Sequence, residues 1–286
     1  MHNLAYKFCK RKYLRKKHIL KVEESENRDY VYLEDPLLLA RFAGYLKSNL
    51  GGAYKVFFRG QNEDYAGMVP SLFRGVDGNK KEFEERINAY ENLTVKWRNT
   101  TKANRFGGEI GGALLQHYGI RTPWIDLVDN LFIALWFACH KRTKIPPYTF
   151  CPRKCDKFGW VYFLQFENPV CSTKHRIASE GIEVGKKTKW CDLRSSQTSL
   201  SLRTHVQHGI FGTLRDLNYQ NYDLNNLVIA SVKFPITKDF LDIVSIPPTF
   251  LFPSTVYDNT YKYLLGDKFK KLVEKGFLGQ IVEYKK

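Results

Sequence analysis

The sequence predicts an α+β fold: a single mixed domain with a central, largely antiparallel sheet flanked by helices. Three observations predict it. Short runs rich in aromatic and branched residues, at 55–59, 160–166 and 227–234, read as core strands. Helical patterns fall between them at irregular intervals, with no regular βαβ alternation. No internal repeat or low-complexity tract breaks the mixture.

The elements follow in order. Residues 30–33 read as a short strand. Asp35-Pro36 has the chemistry of a helix start, a carboxylate cap followed by proline in the first turn. The helix runs over 37–50, with apolar residues at 38, 39, 42, 43 and 46, and stops at Gly51-Gly52. The strand at 55–59 ends on arginine, Gly60-Gln61 leaves it, and 69–74 is extended. Residues 80–99 are helical by the spacing of Phe83, Ile87, Tyr90, Leu93, Val95 and Trp97. A glycine-rich, flexible stretch at 107–112 precedes a short helix at 113–118, stopped by Gly119. Thr122 precedes a proline, which disfavours the helical region, so 121–124 is extended. Asp129 or Asn130 caps a helix over Leu131–Cys139, apolar almost all round and therefore buried. A basic loop with cysteines and prolines fills 141–159, and a variable region fills 167–200. The last helices start near Ser254 and Asp267.

With 286 residues and 43% hydrophobic content, the chain is long enough to bury a sizeable core. No run of apolar residues is long enough to span a bilayer. The basic N-terminus has no apolar stretch after it, so the expectation is no secretory signal and a cytoplasmic protein. A formal charge of +16 predicts attraction to polyanions such as nucleic acid, or to a phosphate-bearing ligand. It is equally compatible with a merely basic surface. Residues 1–29 form a basic N-terminal arm: Lys7, Lys10, Arg11, Lys12, Arg15, Lys16, Lys17 and Lys21 occur with no acid before residue 23. Such a block is a solvated arm or a nucleic-acid contact. The six cysteines are expected to be free thiols. Cys151-Pro-Arg-Lys-Cys155 has the spacing of half a zinc knuckle, with His140 or His175 available to complete a set. Cys171 and Cys191, however, are single and widely spaced, and no metal site is assigned.

The polar residues of interest lie in apolar surroundings. Arg59 closes a buried strand, where an arginine needs an anion or a set of acceptors. It is either a bidentate grip on phosphate or ribose oxygens, or half of a buried pair with Asp126 or a glutamate. Gly60 beside it permits a close backbone approach to a ligand. Gln116, His117 and Tyr118 precede the turn at Gly119. His117 is an acid–base or ribose-binding candidate, or a satisfier of local backbone groups. Thr122 and Asp126, four residues apart, would share one face of a strand, with Asp126 orienting the Arg59 guanidinium. Gln207 sits among apolar neighbours where its amide must find partners, and Arg203 either binds phosphate or pairs structurally. Trp124, Phe132, Trp136 and Phe211 read as core.

These segments together resemble the FRG domain, a family named for a Phe-Arg-Gly motif. The motif stands here as Phe58-Arg59-Gly60, followed by the 69–74 segment, the Gln116-His-Tyr-Gly-Ile block, the Asp126 to Ala138 stretch, and Arg203…Gln207-x-Gly209-x-Phe211. Ile246-Pro-Pro-Thr-Phe-Leu-Phe252-Pro253 completes the order. The resemblance covers roughly residues 30–265, with 141–159 as an insertion and 266–286 as a C-terminal helix or tail. More loosely, the layout is similar to that of ADP-ribosyltransferases. That resemblance implies an ADP-ribosyltransferase-like fold, NAD as substrate, and an enzyme such as a toxin or defence effector. It implies catalytic roles for Arg59, Thr122 and Gln207, and cofactor contacts from Arg59, Gly60, Gln116, His117, Tyr118 and Arg203. Gln207 would stand near the place of that family's catalytic glutamate, supplying hydrogen bonds without charge. The alternative is a non-catalytic module that binds a nucleotide or nucleic acid through Arg59 and the basic arm. Paired carboxylates suited to a nuclease or hydrolase are missing, and the sequence carries no signal for oligomeric state.

Overall fold

In the computed structural model, which describes residues 7–9, 20–100, 108–169, 181–196, 200–273 and 278–284, a nine-stranded sheet crosses the molecule. Its strands, in chain order, are β1 (Leu20–Glu24), β2 (Asp29–Leu33), β3 (Tyr54–Gln61) and β4 (Ile125–Val128). A separate hairpin of β5 (His140–Arg142) and β6 (Phe150–Pro152) follows. The sheet then continues with β7 (Phe158–Glu167), β8 (Ile182–Val184), β9 (Thr188–Asp192), β10 (Gly209–Leu214) and β11 (Val228–Pro235). The spatial order is β1-β2-β11-β7-β3-β4-β10-β9-β8. Every pairing is antiparallel except β2 with β11. The chain is thus a mixed fold with a large, mostly antiparallel central sheet flanked by helices.

The central strands are covered on both faces, which is why they read as unbroken apolar runs rather than as alternation. Val56 and Phe58 of β3 and Val161 and Phe163 of β7 pack on one side. Phe57, Tyr162, Leu164 and Phe166 pack on the other. Helix α1 (Pro36–Leu50) lies on the first side, burying Leu38, Leu39, Phe42, Ala43 and Leu46. Asp35 caps it, accepting from the Leu37 and Leu38 amides at 2.8 and 3.3 Å. Helices α2 (Lys80–Thr100) and α3 (Gly108–Gln116) cover the β10–β9 end with Leu93, Trp97, Ile110 and Leu114. Helix α4 (Leu131–Cys139) packs against β3, capped by Asn130, whose side chain accepts from the Phe132 amide at 2.9 Å. Asp129 takes no part in the cap because Arg194 and His208 hold its carboxylate. The chain continues through α5 (Leu193–Ser196), α6 (Leu202–Val206), α7 (Lys238–Ile243), α8 (Pro248–Leu251), α9 (Asn259–Leu264) and α10 (Asp267–Val273).

Several expectations are corrected. The N-terminal segment is not wholly a solvated arm: β1 pairs with β2 at the sheet edge, and Phe8 is buried against Phe42 and Tyr45. The basic residues 10–17 lie outside the described residues, as do Cys171 and His175. Residues 71–73 form a 3₁₀ turn, not an extended stretch. The glycine-rich stretch from 108 is helical, because Ile110, Ala113 and Leu114 bury their side chains against α2. Strand β4 starts only at Ile125. Pro123 has no amide hydrogen to offer a ladder, so Thr122 lies in the irregular segment before β4 and shares no strand with Asp126. The penultimate helix begins at Asn259, five residues beyond Ser254. Phe132 is 45% exposed on the outer side of α4, not core. Among the described residues, no helix is long and apolar enough to cross a membrane.

Candidate functional site

The site lies where β3 and β4 part. The two strands pair only at Phe58 and Val128, and beyond that point Arg59 fills the gap. Its Nη1 donates to the Asp126 carbonyl at 2.6 Å, so a side chain bridges the strands where backbone pairing stops. Its Nε is buried without a partner, and among the described residues the guanidinium forms no ion pair. Burial pushes its pKa down to about 10, partly offset by Asp126 and reinforced by Arg74. The Arg59 side chain is therefore a cation held in place by a neutral acceptor, with donors left over. The alternative of a direct pair with the Asp126 carboxylate is not what the structure contains.

Arg59 and Gly60 lie between two lobes of one cleft. The first, about 340 Å³, is lined by Gln116, His117, Asp126 and Gln207, with Phe58, Phe137, Phe150, Phe252 and Tyr284 as apolar walls. The second, about 410 Å³, is lined by Gln61, Asn62, Tyr65, Met68, Arg74 and His140. Arg142, Phe137 and Phe150 border both. Three arginines thus face a cleft whose only acidic lining residue, among the described residues, is Asp126.

Polar groups in the first lobe form a relay. The Thr122 hydroxyl donates to Gln116 Oε1, which turns the amide nitrogen toward Asp126, where it donates to Oδ2 at 2.7 Å. Asp126 Oδ1 is buried and has no partner. His117 Nε2 is likewise buried and unpartnered. Burial lowers the His117 pKa, opposed by Asp126, while Arg203 lowers it further and Gln207 opposes. The ring is therefore neutral near neutral pH, standing edge-on to Phe211 with centroids 4.9 Å apart. Gln207 occupies the turn after α6, and its Nε2 donates one N–H to the Leu251 carbonyl at 2.7 Å, leaving its second N–H and its oxygen for other partners.

The structure separates the sequence-derived candidates. Arg59, Gly60, Gln116, His117 and Gln207 line the cleft. Thr122 is buried behind it, acting on Asp126 only through Gln116. Gly60 is needed for a different contact from the one expected. A Cβ there would sit 1.7 Å from the Ala134 carbonyl oxygen, so the close approach is to α4 rather than to a ligand. Tyr118 and Arg203 do not face the cleft at all. Tyr118 is fully buried, with its hydroxyl on both Asp258 oxygens at 2.9 and 3.0 Å. Arg203 is fully buried in a box of Tyr118, Tyr261, Tyr284 and Phe252, 4.6–5.5 Å from the ring centroids. Its Nη1 donates to the His117 carbonyl at 2.7 Å, so it supports the cleft from behind.

Several cleft residues escape the sequence reading. Arg142 and Phe150 come from the β5–β6 hairpin inside the segment read as a basic loop. Tyr284 comes from the C-terminal segment, anchored by the Tyr148 amide on the Glu283 carbonyl and the Val282 amide on the Tyr118 carbonyl, both at 2.8 Å. The one local signal was Gly119. Its φ of +109° and the Val282 and Gln280 atoms crowding its missing Cβ mark a backbone packed against another segment. Among the described residues no cluster of three or more metal-ligating side chains occurs. Comparison with curated proteins and with solved structures finds no match. Residues 54–145, which begin with β3 and carry Arg59, Gln116, His117, Asp126 and Arg142, match the family model of the FRG domain, and the chain carries that domain there.

Proposed function

We propose that the cleft binds NAD as a substrate and that the protein is an ADP-ribosyltransferase-like transferase, in a cytoplasmic setting such as that of a toxin or defence effector. The observation that carries this reading is Arg59, a cation fixed at the cleft floor by a carbonyl, with a buried Nε without a partner and no ion pair among the described residues. A diphosphate or ribose oxygen is the kind of acceptor its spare donors require. The aromatic walls suit flat bases, and Arg74 and Arg142 extend the positive field along the second lobe. In the reaction the bond between ribose C1 and the nicotinamide nitrogen breaks, and its electron pair leaves with nicotinamide. An acceptor nucleophile then bonds to C1 and gives its proton to solvent.

The test is nicotinamide release by chromatography, with NAD affinity measured alongside. Arg59→Ala should abolish binding and release, with the melting temperature reported to separate loss of fold from loss of grip. Wild-type protein that neither binds NAD nor releases nicotinamide would overturn the reading. A non-catalytic nucleotide- or nucleic-acid-binding module is the second reading, favoured by the net charge of +16 and the three arginines at the cleft. It predicts polyanion binding that weakens steeply with salt, without turnover.

A further inference from the structure

We infer that Asp126 is the catalytic carboxylate of the cleft, the group that touches the ribose as the glycosidic bond breaks. This rests on the proposed NAD reading. Departure of a pyridine from C1 leaves an oxocarbenium-like cation, and a carboxylate in a water-poor site is the general means of stabilising such charge. Gln207, the glutamine in the resembling position, is unsuited to that work. It is neutral, so it offers no charge to the developing cation, and one of its two amide N–H donors is held by the Leu251 carbonyl. Among the described residues, Asp126 supplies the only carboxylate lining either lobe.

Its surroundings fit the role. One oxygen is fixed by Gln116, itself oriented by the Thr122 hydroxyl, while Oδ1 is a buried acceptor without a donor. A buried carboxylate oxygen left unsatisfied is costly unless a ligand group completes it. A ribose hydroxyl is the donor that would. The Asp126 backbone carbonyl holds Arg59, so one residue sets both the cation that grips the substrate and the anion that faces the reacting sugar. In the step itself, Asp126 accepts a hydrogen bond from the ribose and forms no covalent bond. Gln116 and Thr122 are positioning residues.

The experiment measures NAD affinity and the rate of nicotinamide release separately, for wild type, Asp126→Asn and Gln116→Leu, each checked by thermal melting. Asp126→Asn keeps the shape and removes the charge. The expected result is NAD affinity within about threefold of wild type and a kcat about 10²–10³-fold lower, the size of loss seen when transition-state charge loses one stabilising group. A merely structural role would move affinity and rate together. Release by Asp126→Asn within threefold of wild type overturns the inference while leaving the NAD reading intact. Absence of release by wild type overturns that reading, and this inference with it. If Asp126→Asn does not fold, Gln116→Leu decides: a fall of about tenfold in kcat at unchanged affinity supports the positioning relay, and unchanged kcat overturns it.

Discussion

Substituting Gly60 by alanine tests the architecture on which the cleft depends. The added Cβ would stand 1.7 Å from the Ala134 carbonyl oxygen, 2.7 Å from its carbon and 3.0 Å from the Ala138 nitrogen. All three are backbone atoms of α4, so no side chain can rotate away. Ordinary contact begins near 3.4 Å, so α4 and β3 must separate by roughly 1.7 Å. Ala134, Leu135, Trp136 and Ala138 are fully buried, and their contacts with β3 would open together. Overpacking of this kind costs about 1–3 kcal/mol and sometimes more, and the absence of any flexible neighbour places this site at or above the top of that range. Denaturant unfolding measures it: Gly60→Ala should lose about 3 kcal/mol or more, as a lower midpoint at unchanged slope. Arg59, the adjacent residue, would move with the strand, so ligand affinity should fall as well. A variant within 0.5 kcal/mol of wild type, on the order of a neutral surface change, would refute the reasoning.

Three further outcomes are expected. His117 and His140 both have lowered pKa values, chiefly through burial, so the unfolded chain takes up protons below its ordinary value of 6.5 while the folded chain does not. Stability should therefore fall as pH drops below 6.5, by at most about 1.4 kcal/mol per pH unit for each histidine. His117→Gln and His140→Gln together should flatten that slope in urea titrations, and an unchanged slope would count against the assignment. The Cys139 thiol is pushed up to about 12 by burial and that of Cys191 is also raised, whereas Cys151 and Cys155 are exposed. Alkylation of the native protein, followed by peptide mass spectrometry, should mark Cys151 and Cys155 and leave Cys139 and Cys191 untouched. Arg203→Met keeps the bulk of a fully buried side chain but removes the cation set among four aromatic rings and its hydrogen bond to the His117 carbonyl. A loss of about 2–4 kcal/mol is expected from the unfolding midpoint, from the charged hydrogen bond and the desolvated cation–π contacts, and a change below about 1 kcal/mol would show that the aromatic box alone suffices.

What the sequence makes legible is local chemistry. The caps at Asp35 and Asn130 and the doubly buried strands are each decided by a few adjacent residues. The same holds for Gln116, His117 and Gln207, polar groups set in apolar runs that do converge on one cleft. The end of β3 is different, because the strand runs on past Arg59 through Gly60 and Gln61, which the sequence reads as leaving it. Other features depend on contacts far apart in the chain. Arg203 looks the same in sequence whether it meets a phosphate or four aromatic rings, and those rings come from residues 118, 252, 261 and 284. The spacing of Thr122 and Asp126 predicts a shared strand that Pro123 delays, so their link runs through Gln116 rather than across a sheet face. Phe150 and Tyr284 lie in segments whose composition suggests only loop and tail, and their ring centroids stand 6.1 Å apart over the cleft because a hairpin meets the chain end.

The closing position of Tyr284 also sets an order in time. The arginine box, the anchor on Tyr118 and one cleft wall all wait for residues 278–284, while Arg59 leaves the ribosome more than two hundred residues earlier. A nascent chain therefore carries Arg59 through more than two hundred residues of synthesis without the walls that complete its cleft. The cleft is complete only once Tyr284 has emerged, and a set of truncations should lose it abruptly once the cut passes that residue.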